Sequence, residues 1–136
     1  TAEIEEKLDD LVLLHEELVE DLPEENQFYL ERVIRRGVEK TIQLLADTII
    51  DVAMMIISQK GLEKPKDSRE AIVVLEKNKI LSKKVSLHIQ DFISFRNLLV
   101  HRYGKVNEKQ EYDNITENHS DVLDFVREIK IFIKKH

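Results

Sequence analysis

Four side chains in one short stretch carry the chemistry this sequence has to offer: Arg96, Asn97, His101 and Tyr103. Imidazole has an unperturbed pKa of about 6.5, so His101 can take or give a proton near neutrality. A guanidinium binds phosphate oxygens through paired N–H donors and stabilises negative charge that builds up on them, a role open to Arg96. The Asn97 amide can donate to the same group. An RNA 2′-hydroxyl attacking its own phosphodiester needs a base, an acid and charge stabilisation, but no metal. Two symmetry-related histidines could supply the base and the acid.

The helix that carries these residues decides whether they can meet. On an ideal helix of about 100° per residue, Ile89, Phe92, Ile93 and Val100 fall within about 60° of Arg96, and Tyr103 within about 20°. Arg96 is therefore expected in the middle of an apolar arc, where an always-charged side chain needs an anion. Asn97 and His101 are four apart, on a polar strip with Gln90 and Ser94. His101 stands about 140° from Arg96, so either distortion before Gly104 or a second copy across a two-fold axis must bring them together. Each residue also has a plainer reading. Arg96 could be a buried ion pair with a neighbouring helix, His101 could face free carbonyls at a helix end, and Tyr103 could be an amphipathic core edge. Asp47 and Asp51, one turn apart in an apolar helix, are the candidate anions for Arg96. No Glu-x-x-His pattern accompanies them, so they read as polar edge or ion-pair partners rather than metal ligands.

Composition says what must position this stretch. Gly 3 and Pro 2 among 136 residues leave too few punctuators for a turn-rich all-β fold. With 35% charged and 42% hydrophobic residues, the chain suits amphipathic helices rather than disorder. Five helices are expected, over about 3–21, 24–59, 68–77, 83–102 and 108–134, packed as one up-and-down all-α bundle spanning 1–136 with one long second helix. In the first, Ile4, Leu8, Leu11, His15, Leu18 and Leu22 recur in steps of three and four, and Pro23 ends it. In the second, Leu30, Ile34, Gly37, Thr41, Leu44, Thr48, Val52 and Met55 mark one face, and Ile49 to Ile57 is apolar nearly all round. Such a helix must be covered on more than one side, by its own bundle or a second chain. Gly61 reads as its stop, Asp67 with Glu70 as a capping box, and Ser82 and Asn107 as further caps. The closing helix carries Tyr112, Ile115, His119, Val122, Val126, Ile129 and Ile133 on one stripe.

Phe95-Arg96-Asn97-Leu98-Leu99-Val100-His101-Arg102-Tyr103-Gly104-Lys105-Val106 resembles the signature of the HEPN superfamily, in its HepT-like branch of toxin proteins. The pattern is Arg, a polar residue, three more residues, His, one residue, Tyr. The long second helix, short third helix, Ile80-Leu81-Ser82 lead-in and closing helix follow that layout across nearly the whole chain. The resemblance implies a homodimer, joined through the motif helix, with a composite metal-independent ribonuclease site at its interface and no cofactor. It implies that Arg96 and His101 are the catalytic pair and that Asn97 supports them. Tyr103 then corresponds to the position to which a cognate MNT-type nucleotidyltransferase antitoxin adds AMP. Bulk and negative charge added there would block RNA. Arg102 and Lys105 add local positive charge that suits RNA.

The remaining features bound the partners. Net charge is −6, so generic nucleic-acid coating is disfavoured and any RNA site must be local or assembled across subunits. Arg32, Arg35, Arg36 and Lys40 make a basic patch that could extend an RNA path. With Glu31 and Glu39 beside it, the patch reads better as a solvated mixed-charge face. Lack of cysteine excludes disulfides, thiolate zinc sites and cysteine nucleophiles. The acidic N-terminal stretch carries no signal-peptide pattern, and no run approaches the roughly 18 uninterrupted apolar residues of a spanning helix, so a cytoplasmic protein without membrane association is expected. His15 and His119 read as packing residues, and His88 faces away from the Arg96 arc. Two rivals to the ribonuclease remain: a non-catalytic helical subunit that docks a nucleotidyltransferase and presents substrate to it, and a structural dimer in which Arg96 is only an ion pair.

Overall fold

Three helix starts in this protein follow side chains able to cap them. The computed structural model describes residues 1–101 and 106–136, and among them the chain is all-helical: α1 (Ala2–Asp21), α2 (Glu25–Leu30), α3 (Arg32–Lys60), α4 (Ser68–Lys77), α5 (Lys83–His101), α6 (Glu108–Asn118) and α7 (Asp121–Lys135). The Glu70 N–H donates to Asp67 Oδ1 at 2.8 Å to open α4, and the Gln110 N–H donates to Asn107 Oδ1 at 3.0 Å to open α6. Ser82 Oγ accepts from the Val85 N–H at 3.2 Å, and Glu128 of α7 accepts from both the Ser82 N–H and its hydroxyl. That cap therefore also ties α5 to α7. Gly61 ends α3 with φ 62°, the left-handed conformation that glycine adopts without a Cβ penalty.

Two expected helices each divide. The long second one breaks at Glu31, whose backbone is extended (φ −106°, ψ 91°). Arg35 stabilises the break by donating from Nη1 to the Phe28 and Tyr29 carbonyls at 2.9 and 3.1 Å, groups a continuous helix would have used itself. The bend lets Phe28 bury completely, with its ring centroid 5.2 Å from that of Tyr112. Tyr112 in turn donates to the Pro23 carbonyl at 2.7 Å. The expected closing helix divides at His119 and Ser120, where bonds such as Leu123 N–H to Ser120 O close over three residues instead of four.

α3 is the centre of the bundle, packed against α1, α2, α4 and α5, while α7 closes on α1 and α5. Its buried face is Val38, Ile42, Leu45, Ile49, Val52 and Ile56, with Thr41 alongside. That corrects the expected face: Leu30 and Leu44 are exposed. The apolar surround of Ile49 to Ile57 sets no phase on the helix, and the break at Glu31 detaches Leu30 from α3. By length and composition α3 could cross a membrane, but half of its most apolar stretch is buried inside the bundle.

His15 and His119 are packing residues that also meet. His15 Nε2 lies 2.9 Å from His119 Nδ1, joining α1 to the α6–α7 junction, and His15 is buried. Burial, then the nearby His119, pushes the His15 imidazole below its usual 6.5, while Glu16 pulls it the other way. The folded chain thus resists a proton that the unfolded chain accepts. Stability contributed by neutral His15 is complete above about pH 6.5 and falls as pH drops through and below that value. Replacing His15 with glutamine is expected to flatten the decline in urea midpoint between about pH 7.5 and about pH 5. An unchanged slope would assign the acid sensitivity elsewhere.

Candidate functional site

α5 delivers Arg96 and Asn97 to the side of the bundle where α3 passes. Ile89, Phe92 and Ile93, one to two turns earlier, are buried and fix the rotation of the helix, which puts the Arg96 stem against the core. The guanidinium then needs an anion within reach, and α3 supplies it. Arg96 Nη1 donates to Asp47 Oδ1, and Arg96 Nε donates to Asn97 Oδ1 at 2.9 Å. The Arg96 side chain is only 13% exposed, whereas that of Asp47 is 49% exposed, so the pair sits at the surface with the carboxylate outermost. Among the described residues, two of the five guanidinium N–H donors go to these partners, which leaves the fork donors for a further acceptor.

Asp51, the other candidate anion, lies one turn on and pairs with Lys7 of α1 at 3.6 Å. Among the described residues no three carboxylates or histidines gather where they could hold a metal ion.

His101 is the last residue of α5 and is exposed. Among the described residues it makes no hydrogen bond or ion pair, and the structure does not join it to Arg96 within one chain. Arg102, Tyr103, Gly104 and Lys105 lie outside the described residues. The apolar arc expected around Arg96 divides along the helix. Its N-terminal part is core, but Val100 is exposed, as are Leu98 on the same helix and Leu44 on α3 beside Asp47. Apolar surface therefore flanks the Arg96–Asp47 pair on both helices. His88 bridges elsewhere, with Nδ1 3.3 Å from Asp121 Oδ1 in the first turn of α7.

Two features near the site carry no strong sequence signal. Glu111 on α6 is buried beside Glu39 of α3. Burial, then the Glu39 carboxyl, pushes the Glu111 carboxyl up to about 9, so it holds its proton at neutral pH. The second is a cleft between the first half of α3 and the end of α5, lined by Arg36, Glu39, Lys40, Gln43, Leu99 and Val100. Its only trace in the sequence is the four-residue spacing of the exposed Arg32, Arg36 and Lys40.

A family model described as "Ribonuclease HepT-like" matches residues 5–129. Among curated proteins, the mRNA nuclease HepT of Shewanella oneidensis is 27% identical over 82 residues, covering 60% of this chain and 62% of that relative. The match thus spans less than two thirds of the relative's length. Among solved structures, a tri-AMPylated HEPN toxin of Shewanella oneidensis in complex with MNT antitoxin superposes with a TM-score of 0.88 at 22% identity, over 94% of this chain and 96% of that one. A toxin–antitoxin structure with AMP-PNP gives 0.88 at 21% identity, over 96% of this chain and 99% of that one. YutE, a cytosolic Bacillus subtilis protein of unknown function, gives 0.82 at 17% identity, over 98% and 90%. At these identities the structural likenesses establish the fold.

Proposed function

The chain belongs to the HepT-like ribonuclease family of the HEPN superfamily, and from that premise we propose that it is a metal-independent endoribonuclease toxin acting as a homodimer. The observation that carries the reading is the state of Arg96: a guanidinium anchored by Asp47 and Asn97 at the surface, with further N–H donors unused among the described residues and exposed apolar residues around it. A residue present only to satisfy a buried charge has no need of Val100 and Leu44 in solvent beside it. Those side chains offer a self-complementary patch that a second copy would cover.

In the proposed reaction, His101 of one protomer removes the proton from a ribose 2′-hydroxyl. The freed oxygen attacks the adjacent phosphorus while the P–O5′ bond breaks. His101 of the other protomer gives its proton to the departing O5′, leaving a 2′,3′-cyclic phosphate and a 5′-hydroxyl. Arg96 binds the phosphate and stabilises the extra negative charge of the pentacoordinate state, and Asn97 orients the guanidinium. Two copies are needed because one straight helix holds Arg96 and His101 about 140° apart.

Regulation follows the same family. We propose that Tyr103 accepts AMP from a cognate MNT-type nucleotidyltransferase antitoxin, which would place bulk and negative charge beside the phosphate site. A tri-AMPylated toxin bound to an MNT antitoxin among the structural relatives supports this reading.

Purified protein is expected to cleave mixed RNA in excess EDTA and to leave 2′,3′-cyclic phosphate ends. Absence of cleavage by protein whose Tyr103 carries no AMP would overturn the enzyme reading. Tight binding of a nucleotidyltransferase under those conditions would then favour a non-catalytic partner subunit.

A further inference from the structure

We infer that the exposed faces of Arg36 and Lys40, with Gln43 and Leu99, form a track that holds the backbone of single-stranded RNA as it approaches His101 and Arg96. The inference rests on the ribonuclease reading for its ligand and on the cleft for its place. The cleft encloses about 310 Å³ between α3 and α5, and its α5 wall, Leu99 and Val100, immediately precedes His101. A chain lying in it would therefore run directly to the proposed base.

The side chains divide the work as a single strand requires. Arg32, Arg36 and Lys40 are exposed and recur every four residues, so they stack along one edge of α3. Each step advances about 6 Å, a rise commensurate with successive phosphates of an extended strand. Lys40 has no ion-pair partner among the described residues. Arg35, which the sequence groups with these cations, is withdrawn from the track: it is committed to the Phe28 and Tyr29 carbonyls and to Glu108 at 3.6 Å. Glu39 also lines the cleft, where its carboxyl is engaged with buried Glu111. Leu99 offers an apolar surface to sugar or base, and the Gln43 amide can donate to or accept from a 2′-hydroxyl. In a protein of net charge −6, this cationic edge is the local positive site that a polyanion needs.

The test separates binding from cleavage by using a fluorescein-labelled 2′-O-methyl oligonucleotide of about twelve nucleotides, which has no free 2′-hydroxyl to attack. Fluorescence anisotropy of the full chain is expected to show binding that weakens about tenfold at low salt in the Arg36→Gln/Lys40→Gln variant. The slope of log affinity against log salt should become shallower by about 1.4, two phosphates at roughly 0.7 each. Lys134→Gln/Lys135→Gln removes the same charge from the exposed end of α7 and should bind as the wild type does. Equal weakening by both pairs, unchanged binding by the first pair, or no binding by the wild type would each overturn the track. So would equally tight, Arg36- and Lys40-dependent binding of poly-glutamate, which would mark an acidic-peptide site. RNA binding that depends on Arg36 and Lys40 without cleavage of unmodified RNA would keep the track and remove the ribonuclease reading. Cleavage with no such dependence would do the reverse.

Discussion

Replacing His101 with alanine is expected to lower RNA cleavage by about 10²–10⁴-fold, the usual yield of general acid–base catalysis, while the protein stays folded. The two halves of that expectation have separate physical grounds. His101 is exposed at the end of α5 and makes no hydrogen bond or ion pair among the described residues, so its loss should move stability by no more than about 0.5 kcal/mol. Catalysis should suffer more because in the proposed mechanism a symmetric dimer draws both base and acid from this one position. Single-turnover cleavage in excess EDTA, alongside circular dichroism and a thermal melt, checks both halves. Mixing wild type with His101→Ala adds a sharper readout. Heterodimers that keep one imidazole should lose nearly all activity if both are needed, and about half if each works alone. Alanine protein that cuts RNA as fast as the wild type would remove His101 from the mechanism.

The motif was legible in the sequence because Arg, Asn, His and Tyr at fixed spacing are a chemical pattern, independent of how the helices pack. The caps were legible for a related reason: Asp67, Ser82 and Asn107 act on N–H groups three residues away, and no distant contact can overrule them. What the sequence could not show were decisions made by tertiary contact. Arg35 looks like a member of a basic patch until the chain bends at Glu31 and presents the Phe28 and Tyr29 carbonyls to it. Leu44 looks like core because Leu30, Gly37 and Thr48 share its spacing, yet it lies off the arc of Val38, Ile42, Leu45, Ile49 and Val52 that the bundle buries. Asp47 and Asp51 were indistinguishable as partners for Arg96, being one turn apart in the same apolar helix. The structure separates them by what lies opposite each: α5 faces Asp47, and Lys7 of α1 faces Asp51.

Under the proposed mechanism that separation makes Asp47 the positioning residue for Arg96, a role that differs from a structural ion pair, and the difference can be measured. Arg96→Ala should cost about 10²–10³-fold in cleavage, the scale on which a preorganised donor to a developing charge is worth. Lysine at that position should rescue little, since a single ammonium cannot reproduce the guanidinium fork that grips Asp47, Asn97 and a phosphate together. Asp47→Ala leaves the guanidinium free to swing, so kcat should fall about tenfold with little change in KM. Asp47→Asn keeps an oxygen acceptor for Arg96 Nη1 and should recover most of that loss. Stability should respond weakly to either Asp47 change, by about 1 kcal/mol or less, because the carboxylate is half in solvent. The decisive comparison is the double variant. If Asp47 works only through Arg96, then Asp47→Ala should cost nothing further in a chain already carrying Arg96→Ala. A second tenfold loss in that background would mean that Asp47 touches the reaction by a route of its own.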